Sequence, residues 1–94
     1  MTNVEGFEWD DGNVSKVELR ATLEEVESLL ESRYVLVKNK RRRAGVLKLI
    51  GRAYNGRLLT VILAPTSSPA TWRPVNAWDS DSEEIRAAQN ARVI

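Results

Sequence analysis

Apolar and polar residues along the chain change from alternation to helical spacing and back to alternation, and this order predicts its elements. In FEWD (7–10), aromatic residues alternate with acids, which predicts a short first strand. The Asp-Gly-Asn that follows breaks the alternation. Either Asp11 or Asn13 is therefore expected to cap a short helix over residues 14–20.

A second helix is predicted by a capping box in which Thr22 and Glu25 satisfy each other's backbone N–H groups. Apolar residues then recur at helical spacing and give a helix of about three turns one buried stripe: Leu23, Val26, Leu29 and Leu30. Glutamates at spacings of three and four are expected on its outer face: Glu24, Glu27 and Glu31.

Four stretches rich in β-branched and aromatic residues predict strands: RYVLVKN (33–39), VLKLIGRAY (46–54), RLLTVILAP (57–65) and TWRPVNAWD (71–79). Asn55-Gly56 predicts a hairpin with a type I′ turn between the second and the third. The third is nearly all apolar and is expected in the centre of the sheet. Pro74 cannot donate to a strand ladder, so it predicts an edge position or a bulge. A C-terminal helix is expected over DSDSEEIRAAQNAR, with its acids in the first turn.

This order of elements predicts one small α+β domain over residues 1–94. An N-terminal strand and two helices pack on an antiparallel β-sheet meander, which a C-terminal helix follows. We expect the helices to lie on one face of a curled sheet.

Composition narrows the chemistry. The 94 residues include no cysteine and no histidine, which excludes disulfides and thiolate zinc sites and removes the most common general base and transition-metal ligand. Any catalysis therefore has to use Asp, Glu, Lys, Arg, Tyr or a hydroxyl, and no metal or cofactor is expected.

No run of 18 apolar residues is present, so no membrane span is predicted. The acidic, polar N-terminus does not resemble a signal peptide, and a cytoplasmic location is expected.

The charges are separated along the chain. Residues 1–32 carry a net charge of −7, residues 33–78 carry +10 without one acid, and residues 79–94 carry −2. Either the basic segment 33–78 binds a polyanion or an acidic protein, or the acidic helices pack beside it and neutralise it. Its densest part, KNKRRRAG (38–45), supplies the candidate RNA-binding residues: Lys38, Lys40, Arg41, Arg42 and Arg43.

Several stretches in order resemble one family: FEWDDGN, a T-x-E-E-V helix, LIGR..NGRLLTVILAPT, and WRPVNAWDS before an E-E-x-R-x-A helix. Together they are similar to the BrnT-type toxins, which are ribonuclease components of bacterial type II toxin–antitoxin pairs with a RelE-like fold. The resemblance covers about residues 7–90. It implies a cytoplasmic, metal-independent endoribonuclease that acts on RNA and is neutralised by a cognate antitoxin, with oligomers formed only through that antitoxin.

Two family motifs are matched only in part. The first helix of the family typically carries Asn-x-x-Lys or Asn-x-x-His followed by His-Gly-Val; Asn13 and Lys16 match its start, whereas ELRA replaces the rest. The last strand often reads R-x-I-S-A-R; Arg73 and Ala77 match, and Trp78 replaces the second arginine. Three functions therefore stay open: a ribonuclease toxin, a non-catalytic toxin-like module that binds an acidic partner or nucleic acid, and a toxin acting on a protein such as a topoisomerase.

Metal-free RNA cleavage needs a base for the 2′-hydroxyl, a cation for the phosphorane and an acid for the leaving oxygen. Lys16 is the candidate base or phosphate clamp, and Arg52 and Arg73 are candidate cations that project from one face of the sheet. Each can instead be an ordinary surface residue. The remaining candidates have equally open alternatives in packing or helix capping: Trp78 at the site, Tyr54 as proton donor, and Glu83 and Glu84 as acids.

Overall fold

The computed structural model describes residues 3–39 and 46–94. The predicted RNA-binding residues Lys40, Arg41, Arg42 and Arg43 lie outside these ranges. The described elements, in chain order, are β1 (Gly6–Phe7), α1 (Asp11–Val17), α2 (Leu23–Ser28), a one-turn 3₁₀ helix (Leu29–Glu31), β2 (Tyr34–Lys38), β3 (Leu47–Arg52), β4 (Leu58–Pro65), β5 (Thr71–Asp79) and α3 (Ser82–Asn90). No helix within the described ranges has the length and apolar character needed to cross a bilayer.

The five strands form one mixed sheet in the order β1-β5-β4-β3-β2. Strands β2 to β5 are a consecutive antiparallel meander, as predicted, with β4 in the interior. The first strand is shorter than predicted and pairs parallel to β5, which makes the sheet mixed. The described chain is thus a small α+β fold of five strands and three α-helices.

One face of the sheet carries the main core. Alternate residues of β3 and β4, among them Leu49 and Val61, pack against Val17 of α1 and Val26 and Leu29 of the second helical segment, and all five side chains are fully buried. The predicted stripe of α2 is therefore confirmed. Its predicted outer glutamates are all exposed, although the α-helix ends at Ser28 and continues only as the 3₁₀ turn: Glu24, Glu27 and Glu31.

The expectation that all helices lie on one face of the sheet is wrong. Lys48 alternates with Leu47 and Leu49 of the core face, and its Nζ lies 3.1 Å from Glu84 Oε2 of α3. The C-terminal helix therefore packs on the opposite face, where Ile50 is also buried. The physical reason lies in β3 and β4, whose apolar residues occupy both faces, so each face requires a cover.

The N-terminal helix begins earlier than predicted. Its N-cap is Asp10, whose side chain accepts from the backbone N–H groups of Gly12 and Asn13. Asn13 is the third residue of the helix and is buried. Its side-chain amide donates to Glu8 O at 2.9 Å and to Pro74 O at 2.8 Å. One side chain therefore closes the helix start and ties it to β5.

The hairpin between β3 and β4 is present, but its turn is not type I′. Gly56 N donates to Ala53 O at 2.9 Å, and Ala53 N donates to Arg57 O at 2.8 Å. Within this turn only Gly56 has a positive φ, of 92°. This is a three-residue loop with a type I turn and a glycine bulge, so glycine is needed at position 56 and not at Asn55.

Pro74 lies at a bulge, one of the two positions predicted for it. Ile62 pairs with Asn76 and Leu63 with Pro74, so Val75 is the extra residue of β5. The missing N–H of Pro74 interrupts no regular ladder there.

Candidate nucleic-acid interface

Ion pairs in the described part of the chain follow one rule. Each joins a cation of the basic segment 33–78 to a carboxylate outside that segment. The cations used are Lys48, Arg57 and Arg73. Carboxylates outside the basic segment therefore neutralise some of its cations. The cations left without a carboxylate are the candidates for binding a partner.

Arg73 fastens β5 to the start of α1. It forms an ion pair with Asp10, and its Nη2 donates to Asp10 Oδ1 at 2.9 Å. The Arg73 guanidinium, helped by the backbone N–H of Asn13, lowers the pKa of Asp10 to about 2, and the carboxylate in turn raises the pKa of Arg73. Any phosphate that reaches Arg73 has to compete with Asp10, which also caps the helix.

Arg57 has more hydrogen-bond partners than any other cation in residues 3–39 and 46–94. Its Nη1 donates to both carboxylate oxygens of Glu25 at 2.9 and 3.0 Å, and its Nε and Nη2 donate to Asp79 Oδ1 at 3.2 and 3.0 Å. The Nη2 also donates to Arg20 O at 2.9 Å, and Asn55 Nδ2 donates to Glu25 at 2.7 Å. The network joins the hairpin to α2 and to the end of β5, so Arg57 has a structural role.

Glu25 was predicted only as a capping residue, but it also forms an ion pair with Arg57. Its pKa reflects both contacts. The backbone N–H of Thr22 and the amide of Asn55 lower its pKa most, and Arg57 adds to them against the effect of burial. The resulting pKa is about 2 although the residue is only 4% exposed. A buried carboxylate held in the charged form by several donors stabilises the fold and does not act as a proton donor near neutral pH.

Trp78 takes part in a second network. Its Nε1 donates to Glu84 Oε1 at 3.0 Å, and Lys48 Nζ lies 3.1 Å from Glu84 Oε2 and 6.0 Å from the centre of the Trp78 ring. Burial alone would raise the pKa of Glu84, but hydrogen bonds from the Asp81 backbone, Trp78 and Lys48 outweigh it and lower that pKa. Glu84 caps α3 and orients the indole, so Trp78 is held between sheet and helix.

The predicted catalytic residues do not come together. The register places Arg52 and Arg73 on the α3 face of the sheet, as expected, but Arg52 is opposite Leu58 and Arg73 opposite Ala64. Six residues along β4 separate the two positions by about 20 Å. Lys16 is exposed in the last turn of α1 and forms no ion pair with any described residue.

No cluster of three or more potential metal-ligating side chains occurs in residues 3–39 and 46–94.

Three cations of the basic segment have no carboxylate partner among the described residues: Arg33, Lys38 and Arg52. Lys38 is exposed at the end of β2, and Arg52 is exposed at the end of β3. Arg33 immediately precedes β2 and was not singled out from the sequence. It lines a groove of about 370 Å³ together with Arg52 and Tyr54, at the hairpin end of the sheet.

Arg33 was not predicted as a site residue because its position beside Arg52 depends on strand register. Tyr34 pairs with Gly51 in the β2–β3 ladder, so Arg33 lies one position beyond the ladder and opposite Arg52. The sequence between the two strands, residues 39–46, contains no local motif that specifies a pairing. The available signal was a pair of arginines at facing ends of two adjacent predicted strands.

Comparison of the chain with protein-family models, with curated proteins and with solved structures finds no match. The geometry therefore carries the functional argument. It offers three cations that pair with carboxylates and hold elements together. Among the described residues it also offers two cations without a carboxylate partner, Arg33 and Arg52, that line a groove with the exposed ring of Tyr54. Such a combination suits the binding of phosphate and base.

Proposed function

We propose that this chain is a bacterial toxin-like protein that binds RNA through the unpaired cations of its basic segment. The cations are Arg33 and Arg52 at the hairpin end of the sheet and Lys38 at the other end of β2. The proposal also includes the run predicted from the sequence, which lies outside the described residues: Lys40, Arg41, Arg42 and Arg43. In this proposal a cognate antitoxin binds the chain and limits its access to RNA. Binding, rather than cleavage, is the activity that the arrangement of side chains favours.

The observation that carries the proposal is the division of cations into paired and unpaired sets. Lys48, Arg57 and Arg73 each hold a carboxylate from outside the basic segment, whereas Arg33 and Arg52 hold none among the described residues. Guanidinium groups without a carboxylate partner keep most of their N–H donors for phosphate oxygens. RNA binding by such groups releases counterions, which makes affinity dependent on salt.

A second candidate function is the metal-independent endoribonuclease implied by the resemblance to BrnT-type toxins. One observation favours it: the Asp10–Arg73 pair is at the surface, with side chains 54% and 29% exposed. A phosphate can therefore approach Arg73 from solvent and exchange with Asp10. Lys16, on the helix that Asp10 caps, would then be the candidate base.

The test uses the purified full chain and a fluorescent single-stranded RNA without secondary structure. Anisotropy measured over a range of salt concentrations gives the affinity and its salt dependence, and gel analysis of the same samples reports cleavage. We expect binding that weakens as salt rises, with the slope of log K against log salt changing by about 0.7 for each phosphate contact. Replacing Arg41, Arg42 and Arg43 together with Gln should weaken binding and flatten this slope.

The control removes two positive charges outside the basic segment, by Arg20→Gln with Arg86→Gln at exposed positions, and should leave RNA affinity nearly unchanged. Salt-independent or absent RNA binding would overturn the proposal. Cleavage that Arg73→Ala abolishes would decide for the endoribonuclease. Growth arrest on expression of the chain alone, relieved by the neighbouring gene, would support the assignment to a toxin–antitoxin pair.

A further inference from the structure

We propose that single-stranded RNA is held in the groove at the hairpin end of the sheet, with one phosphate between Arg33 and Arg52 and the adjoining base stacked on Tyr54. This inference rests on the proposed RNA binding and locates it on the molecule. We call the site the arginine groove; its lining includes Glu31, Arg33, Arg52 and Tyr54.

Strand register sets two like charges against each other. The β2–β3 ladder ends with Tyr34 opposite Gly51, and the next facing positions are Arg33 and Arg52. Directly opposed like charges on neighbouring strands destabilise a sheet. No described carboxylate forms an ion pair with either arginine, so no direct contact within this part of the chain neutralises them. A bound phosphate would relieve the repulsion, because one anion can accept from both guanidinium groups.

The backbone around this pair is fixed. A side chain on Gly51 would lie 3.3 Å from Arg33 O, which shows how closely the two strands approach. Ser32 Oγ donates to Arg52 O at 3.0 Å, and Tyr54 N donates to Ser28 Oγ at 3.0 Å. These bonds join the segment before β2 to the segment after β3. The site is therefore largely organised before a ligand arrives, which lowers the entropic cost of binding.

The side chains in the groove leave donors and a ring face for a nucleotide. Arg52 uses Nη1 to donate to Gly56 O at 3.0 Å and retains its other N–H groups. Tyr54 is 68% exposed, which is unusual for a large ring and leaves it accessible to a base. Glu31 also lines the groove. Its carboxylate repels a free phosphate but can accept from a ribose hydroxyl or a base amine, which favours a nucleotide over inorganic phosphate.

The first test uses a variant that should weaken RNA binding without destabilising the fold. Arg33→Gln removes a phosphate contact and also removes the like-charge repulsion. We expect RNA affinity at low salt to fall several-fold and the salt slope to fall by about 0.7, while the thermal midpoint of the free protein stays the same or rises. Arg86→Gln, the same charge change on α3, outside the groove, should alter neither RNA affinity nor the salt slope.

The second test addresses stacking. Tyr54→Leu should reduce the affinity for single-stranded RNA about tenfold, whereas Tyr54→Phe should retain it, because the ring rather than the hydroxyl makes the contact. Both variants are fully folded in the expected outcome, as judged by circular dichroism, since the native side chain is mostly in solvent. Equal losses in the two variants would argue against stacking and overturn this part of the site.

The outcomes separate this inference from the proposed function. Salt-dependent RNA binding that is unchanged by Arg33→Gln, Arg52→Gln and Tyr54→Leu overturns the arginine groove and leaves RNA binding elsewhere on the basic segment. Absence of RNA binding by the unmodified chain overturns both. If a polyglutamate peptide binds in a manner that needs Arg33 and Arg52 while RNA does not, the groove serves an acidic protein and the inference is also wrong.

Discussion

Arg52 and Arg57 flank the same hairpin, five positions apart, and have opposite surroundings. Arg57 donates to two carboxylates, Glu25 and Asp79, and to one carbonyl. Arg52 donates only to Gly56 O among the described residues and lines an open groove with Arg33. Two arginines that are equivalent in a count of charges therefore have different roles: one holds elements together, and the other retains donors for a ligand.

The difference follows from the two faces of the sheet. Arg57 directs its guanidinium to the face covered by α2, where Glu25 is nearly fully buried and needs a cation. Arg52 is on the α3 face, beyond the part that this helix covers. A buried carboxylate makes its partner essential, whereas an exposed cation costs little when left alone. Mutating each arginine should therefore have different effects on stability.

The largest expected effect is on stability and comes from Arg57→Gln. The change leaves Glu25 buried without its guanidinium and should lower the free energy of unfolding by roughly 2–4 kcal/mol. Urea denaturation followed by circular dichroism measures it. Arg52→Gln is the matched control on the other side of the hairpin and should change stability by less than about 0.5 kcal/mol. Similar losses of unfolding free energy in both variants would mean that the two arginines contribute equally to stability.

A somewhat smaller effect is expected in the response to acid. The pKa of Glu25 is about 2 in the folded chain and near 4.5 when the chain is unfolded. A depressed carboxyl pKa means that the unfolded state binds more protons, so the stabilisation is fully present above pH 4.5 and is lost as the pH falls toward 2. We expect the denaturation midpoint in urea to decline steadily over this interval.

Glu25→Gln identifies the carboxylate responsible. This variant should be less stable at neutral pH, but its midpoint should depend less on pH between 4.5 and 2 than that of the unmodified chain. Asp10 also has a pKa of about 2, but it is at the surface, so Asp10→Asn should have a smaller effect that salt suppresses. If the urea midpoint of Glu25→Gln falls between pH 4.5 and 2 as steeply as that of the unmodified chain, other carboxylates cause the loss of stability in acid.

Local signals in the sequence predicted much of the fold. The capping box at Thr22 and Glu25, the bulge at Pro74 and the meander of four strands are all present. Each depends on residues within a few positions of one another, or on the alternation of apolar residues within a strand. The start of α1 was misplaced because Asp10, Asp11 and Asn13 are all good caps. In the structure Asp10 and Asn13 form a reciprocal capping box, and Asn13 also donates to Pro74 O.

The candidate site was less predictable because it depends on contacts between distant segments. Which carboxylate meets Arg57 or Arg73 is set by how the acidic helices pack on the sheet, across 32 and 63 positions of the chain. The arginine groove depends on the β2–β3 register, which no motif specifies. Charge separation along the chain indicated that a basic surface exists. It did not indicate which cations the protein itself neutralises.

The smallest expected effect concerns the register itself. Arg33→Glu would place opposite charges at the facing positions beyond Tyr34 and Gly51, so the repulsion with Arg52 becomes an attraction. We expect the free protein to gain about 0.2–1 kcal/mol in unfolding free energy at low salt, with the gain reduced at high salt. The same variant should bind single-stranded RNA more weakly than Arg33→Gln, because the introduced carboxylate would pair with Arg52 and repel the phosphate. A stability gain that persists in an Arg52→Gln background would exclude cross-strand pairing as its cause, since a double-mutant cycle attributes only the non-additive part to the pair.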